Sequence, residues 1–189
     1  MDAGRHAEQK DYRSPGRLLG WVVLLAVFLG FSYFLRVSVL QSYVIPSGSM
    51  EETIMIGDRV WAEKLSYQFR DIEPGDIVTF EDPEIPGRIL VKRCVAVAGQ
   101  TVDMRNGILY VDGAPRVEPY TGNEPSAPIG RTAVDIAYPY LVPEGTIWLM
   151  GDHRTNSQDS RYFGPVDTST VFGRAFMIYW PLDHLHVFD

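Results

Sequence analysis

At 189 residues the chain has room for one domain and an appendage, and its 46 % hydrophobic content is enough to bury a core. The first forty residues hold five of the 17 Lys and Arg and three of the 24 Asp and Glu; the rest is left with 12 against 21, or −9, which disfavours a nucleic-acid binder. Seventeen glycines and 13 prolines speak against an all-helical bundle, and the single cysteine, Cys94, excludes an internal disulfide framework or a thiolate metal cluster.

Residues 1–17 are short, polar and mixed in charge, and read as a disordered, cytoplasmic tail. Leu18 to Leu35 is uncharged and mostly apolar, and the apolar character continues beyond Arg36 to Leu40. At about 1.5 Å rise per residue such a run nearly crosses a hydrocarbon core of about 30 Å. The run exceeds the roughly 7–15 residues of a secretory h-region, and no small-x-small site follows closely, so residues 18–40 are expected to be an uncleaved membrane anchor. A buried core helix fits less well, because it would be apolar on every face. Arg13 and Arg17 flank one end and Arg36 the other, with no further basic residue until Arg59. The positive-inside rule then leaves the amino terminus in the cytoplasm and residues 41–189 outside, as a β-rich domain on a single-pass anchor in the cell membrane.

Beyond the anchor the chain reads as mainly β. Ile77–Phe80, Arg88–Val97, Thr146–Met150 and Val171–Trp180 are β-rich apolar segments bounded by Gly, Pro or Asp. In TVDMR-NG-ILYV the Asn106-Gly107 pair predicts a type I′ hairpin, with a second turn at Asp112-Gly113. Pro115 to Pro143, rich in Pro and Gly and without periodicity, predicts an irregular or mobile excursion.

Three clusters carry the candidate chemistry. In Ile45-Pro46-Ser47-Gly48-Ser49-Met50, two hydroxyls flank a glycine behind a φ-fixing proline. An ordinary turn explains that hexapeptide equally well. As chemistry, Ser49 is a nucleophile candidate, and Ser47 a hydroxyl donor to an oxyanion beside the Ser49 N–H. A serine needs a base. Among His6, His153, His184 and His186, only His153, preceded by Asp152, is placed to serve. A carboxylate immediately adjacent in sequence points to the opposite face of a strand, which weakens a Ser-His-Asp triad. The second cluster, Leu90-Val91-Lys92-Arg93-Cys94, puts a lysine on the face of two apolar residues. Burial there would lower its pKa and make it a base; a snorkelling surface lysine is the alternative. The third, Gly151 to Gly164, is a polar loop in which Asp159 and Arg161 can pair and Ser157 can orient a neutral lysine. A solvated loop uses the same residues, and the ligand spacing of a calcium loop is missing, so no metal is expected.

The order IPSGSM after an apolar run, then GDRVWAEKL, PGDIVTF, VKRCVAVAG and GDHRTNSQDSRYFGPV, resembles the bacterial type I signal peptidases over most of residues 41–181. The resemblance implies an antiparallel β-sheet signal-peptidase fold behind one transmembrane helix, in the compact single-anchor form. It also implies a serine endopeptidase that removes signal peptides from secreted preproteins after small-x-small (Ala-x-Ala) sites, without a cofactor. Ser49 would be the nucleophile and Lys92 the general base, with an acyl-enzyme intermediate. Ser47 would complete the oxyanion site and Ser157 orient Lys92, while Gly151, Asp152, Asp159, Arg161 and Arg93 match supporting positions. Ile45, Pro46, Met50, Leu90 and Val91 are candidates for the substrate pockets. The implied partners are preproteins and the lipid bilayer. Two departures stand out: Cys94 replaces a small apolar residue, and His153 occupies a place where asparagine is also common. A self-cleaving serine-lysine regulator and a tethered, non-enzymatic β-domain are the rival readings. The membrane anchor, and the lack of a DNA-binding region, count against the first.

Overall fold

The computed structural model describes residues 15–188. Most of the predicted tail lies outside them, but Pro15, Gly16 and Arg17 open a helix, α1, Pro15–Ser38. Proline is at home at a helix start, where its missing N–H has no partner to lose. From Gly16 to Tyr33 the helix is long and apolar enough to be a candidate membrane span, and every side chain of that stretch is exposed. It ends two residues before Leu40, the last residue of the predicted anchor, whose backbone instead pairs with Glu63.

Residues 39–188 form a separate unit, which is mainly antiparallel β as expected. Its strands are β1 Leu40–Val44, β2 Arg59–Glu63, β3 Ile77–Glu81, β4 Ile89–Val97, β5 Thr101–Arg105, β6 Ile108–Val111, β7 Ala114–Pro115, β8 Tyr140–Leu141 and β9 Thr146–Met150. A single-turn helix, α2 Ser160–Phe163, then precedes β10 Val166–Asp167, β11 Val171–Trp180 and β12 His186–Val187. The larger sheet runs β1-β2-β11-β3-β4-β9-β10, with β12 also on β11; the smaller runs β7-β6-β5-β8.

The four predicted β segments are β3, β4, β9 and β11, and the β5–β6 hairpin turns on Asn106 and Gly107, both at positive φ (53° and 78°). Asp112 and Gly113 repeat that geometry at 53° and 74°, so the turn residues dictate two successive reversals. The excursion expected over Pro115 to Pro143 is irregular only in part: β7 ends at Pro115 and β8 occupies Tyr140–Leu141, while residues 116–139 between them hold one short 3-10 turn and no strand.

Three apolar clusters fix the frame. Val95, Ala96, Trp148 and Met150 of β4 and β9 pack with Val102, Met104, Leu109 and Val111 of the hairpin, joining the two sheets. Ile45, Met50 and Ile54 pack on Val60, Ile77, Ala175 and Ile178, which anchors the loop between β1 and β2. Cys94 is fully buried with Val78, Phe80 and Leu149, and burial pushes its thiol up to about 12, so it behaves as a small hydrophobe.

Candidate active site

Ser49 lies in the loop that joins β1 to β2. The loop closes on itself through Ile45 N–H to Asp58 O and Gly57 N–H to Ile45 O, both 2.9 Å. Buried Asp58 also accepts the Met55 N–H at 2.8 Å and faces His184 Nδ1 at 2.8 Å. That carboxylate raises the His184 pKa, so His184, four residues past the end of β11, is paired with the base of the loop at Asp58. Met50 and Ile54, 1 % and 0 % exposed, pin the loop from below.

Lys92 sits in the middle of β4, opposite Val78 of β3, and is 2 % exposed. Its Nζ contacts Ser49 Oγ directly. The register of β3 with β4 thereby carries the lysine to a serine 43 residues away. Burial lowers the lysine pKa to about 8, the dominant cause being loss of water around the ammonium; Asp159 and Asp152 oppose the shift and Arg161 adds to it. Cys94, on the same strand face, is buried as the alternation requires.

The loop from Gly151 to Ser160 is built on buried ion pairs. Asp159 accepts two bonds from Arg161, at 2.9 and 2.8 Å, and the N–H groups of Gly151 (3.0 Å) and Arg161 (3.1 Å). Burial alone would raise the Asp159 carboxyl, but the Arg161 guanidinium, the Gly151 N–H and the Ser157 hydroxyl together outweigh it and hold the pKa below the ordinary carboxylate value. Asp152 accepts Arg93 in the same two-pronged way, at 2.9 and 2.7 Å, and the Thr53 hydroxyl at 2.6 Å. Arg93 and Thr53 thus tie β4 and the serine loop to one carboxylate. Gly151 is where these segments converge: a Cβ there would lie 2.2 Å from Ser157 Oγ and 2.4 Å from the Ser49 carbonyl oxygen. Only glycine allows that approach.

Ser47, Ile45, Pro46, Met50, Leu90 and Val91 all line one cleft of about 280 Å³ with Ser49 and Lys92. Ile45 and Met50 are core residues that form its floor, whereas Pro46 and Ser47 are exposed. One cleft wall is β1, which among the described residues pairs on one side only. The other is the Ile89–Val91 stretch of β4, paired with β3 but beyond the point where β9 joins at Arg93. Two unpaired strand edges therefore flank the serine. Ser157 contributes a buried hydroxyl that lies toward the Asp159 carboxylate and, among the described residues, makes no hydrogen bond to Lys92. His153 does not reach the Ser49 hydroxyl; its Nδ1 lies 3.0 Å from the Gly48 carbonyl oxygen.

The sequence reading missed the contribution of the 116–139 segment. Glu118 pairs with Arg154, which is 2 % exposed, at 2.7 and 2.8 Å. Arg154 Nε in turn donates to Gly151 O at 2.8 Å, and the Tyr120 ring lies 3.9 Å from the Arg93 guanidinium carbon. The one pointer available was Arg154 itself, a cation among small residues of GDHRTNS.

A family model described as signal peptidase, peptidase S26, matches residues 18–180. The probable signal peptidase I-1 of Synechocystis sp. is 36 % identical over 167 residues, covering 85 % of this chain and 81 % of that protein. A signal peptidase I of Mycobacterium tuberculosis is 32 % identical, over 93 % and 78 % of the two chains. The crystal structure of a signal peptidase I from Enterococcus faecalis V583 aligns with 31 % identity and a TM-score of 0.46, over 56 % of this chain and 97 % of that one. With its family model matched from the apolar helix to the end of β11, the chain belongs to the signal peptidase family, peptidase S26, and is a serine peptidase of the class that removes signal peptides.

Proposed function

We propose that this protein cleaves secreted preproteins at the end of their signal peptides, after small-x-small (Ala-x-Ala) sites, with Ser49 as nucleophile and Lys92 as its general base. The observation that carries the proposal is the contact between Lys92 Nζ, 2 % exposed, and the Ser49 hydroxyl. An amine with a pKa near 8 is neutral in about a tenth of molecules at pH 7, enough to act as a base without a histidine.

Neutral Lys92 takes the Ser49 proton as Oγ attacks the scissile carbonyl carbon. The negative charge that develops on the carbonyl oxygen is held by the Ser49 N–H and the Ser47 hydroxyl. Collapse breaks the C–N bond, and the proton on Lys92 goes to the leaving amine, which departs as the new amino terminus. Lys92, neutral again, removes a proton from water as its oxygen attacks the ester carbon; the C–O bond to Ser49 then breaks, Lys92 returns the proton to Oγ, and the signal peptide leaves with a new carboxyl terminus. Ser157 supplies a buried hydroxyl beside the Ser49 carbonyl to orient Lys92 while Ser49 is acylated. The pairs Asp159–Arg161 and Asp152–Arg93 keep Gly151 against Ser49.

An extended peptide suits the two unpaired edges that flank the cleft, where main-chain hydrogen bonds supply affinity and pockets supply selectivity. Ile45, Pro46, Met50, Leu90 and Val91 leave a small cleft beside the serine, which favours small side chains next to the scissile bond. We assign α1 to a single membrane span, with the cytoplasm on the side of Arg13 and Arg17 and residues 41–189 outside. Anchoring confines enzyme and preprotein to one membrane surface and raises their effective concentration.

Detergent-solubilised protein incubated with a preprotein bearing an Ala-x-Ala site is expected to yield a new amino terminus immediately after the second alanine. Ser49→Ala is expected to lose that product, while its thermal unfolding midpoint stays close to that of the parent. A product of the same sequence formed by Ser49→Ala at the parental rate would remove Ser49 from the mechanism.

A further inference from the structure

The Gly48 carbonyl oxygen, one bond before the nucleophile, accepts two donors: the Glu51 N–H at 3.1 Å and His153 Nδ1 at 3.0 Å. A carbonyl oxygen can only accept, so Nδ1 is a protonated ring nitrogen. In a planar trans peptide the Gly48 C=O and the Ser49 N–H point in opposite directions, so a group that holds the carbonyl also aims the amide. Among the described residues the Ser49 N–H finds no acceptor, and it is the backbone donor assigned above to the developing oxyanion. His153 grips the same residue from its other side, since its own N–H donates to the Ser49 carbonyl at 3.3 Å.

The far side of the ring faces the segment between β7 and β8. Its Nε2 lies 3.3 Å from Glu124 Oε1, and the Glu124 carboxylate accepts the N–H and the hydroxyl of Thr155, both at 3.0 Å. The segment between β7 and β8 therefore reaches the serine through this imidazole. Nδ1 is also 3.1 Å from Glu51 Oε2, and the Glu51 side chain folds over Gly48 so closely that a Cβ there would lie 2.6 Å from its carboxyl carbon. The single Nδ1 proton is thus shared between the Gly48 carbonyl and the Glu51 carboxylate, which keeps that carboxylate turned toward the imidazole.

We infer that His153 is a positioning residue of the oxyanion site: by donating to the Gly48 carbonyl it fixes the direction of the Ser49 N–H. The inference rests on the reading of Ser49 as nucleophile. It differs from a triad role, because the imidazole acts through the backbone and exchanges no proton with the Ser49 hydroxyl.

The test compares His153→Asn, His153→Gln and His153→Leu with the parent, as full-length protein in detergent. Asparagine places its Nδ2 where histidine holds Nδ1, and so can still donate to Gly48 O; glutamine reaches instead toward the Nε2 position, and leucine donates nothing. Turnover of an Ala-x-Ala peptide is read together with binding of two non-substrate peptides of the same sequence. One ends in an aldehyde, to which the Ser49 hydroxyl adds to form a hemiacetal oxygen at the oxyanion position; the other ends in an amide and forms no bond. Gln and Leu are expected to lower kcat by about 10- to 100-fold with KM changed by no more than about twofold. Their affinity for the aldehyde should fall by the same factor and that for the amide should not, and Asn should restore most of the turnover. Should the leucine variant fail to fold, the asparagine and glutamine pair, compared at matched unfolding midpoints, decides alone. Gln turning over like Asn and the parent would overturn the inference, as would parallel losses of aldehyde and amide binding. Ser49→Ala cutting at the parental rate marks a different failure, that of the nucleophile assignment, and takes the inference with it.

Discussion

Lys92→Arg lowers kcat/KM by roughly 10⁴-fold or more, although the positive charge is kept. A guanidinium cannot give up its proton at working pH, so the variant offers Ser49 donors but no base. Lys92→Met is expected to be equally inactive and yet more stable near pH 7, which separates loss of the base from loss of the fold. The sign follows from the two pKa values: about 8 in the folded protein and 10.5 for the free side chain. Between them the unfolded chain binds more protons than the folded one, so stability rises with pH through that window. Below about pH 8 the full penalty for the buried ammonium is present, on the order of 3 kcal/mol by the size of the shift. Removing the amine removes that penalty. Peptide turnover together with thermal unfolding midpoints at pH 7 and pH 10 checks both halves; the gain from Met should shrink at the higher pH.

Asp159→Ala is expected to cost about 3–5 kcal/mol of stability. The substitution leaves Arg161, 2 % exposed, without a counter-charge and strips the Gly151 N–H of its acceptor. Removing one partner of a buried pair is costly because the other stays desolvated. Asp159 holds its pKa below the ordinary 3.8, so the stability it contributes is present above that value and is lost only as pH falls through the lowered one. Thermal or denaturant unfolding of the full chain at pH 7 measures the loss. A midpoint within error of the parent would mean that the loop from Gly151 to Ser160 stands without its ion pair.

Much of this arrangement is legible in the residues. The hairpin at Asn106-Gly107 and the strands β3, β4, β9 and β11 follow from turn chemistry and β-rich apolar runs bounded by Gly, Pro or Asp. The first two strands do not declare themselves: β1 is an edge strand with no fully buried residue, and β2 is only five residues long with charges at both ends. The candidate pair Ser49 and Lys92 is readable as residue types, but its proximity depends on the pairing of β3 with β4, which periodicity does not specify. Glu118, Tyr120 and Glu124 are hidden for a different reason. They lie in an aperiodic stretch and act on residues 27 to 36 positions away, with only the buried Arg154 to mark the receiving end. His153 shows the limit most plainly: its type suggests a base, and only the placement of its ring on the Gly48 carbonyl suggests another part.

The claim that a buried, neutral lysine activates Ser49 is tested most directly by the pH dependence of kcat/KM for the parental protein on an Ala-x-Ala peptide, from pH 5 to 10. The account predicts a single acidic limb that rises with pH and has its midpoint near 8, where Lys92 loses its proton. A limb centred near 6.5, the ordinary value for a histidine, would contradict it and pass the role of base to an imidazole.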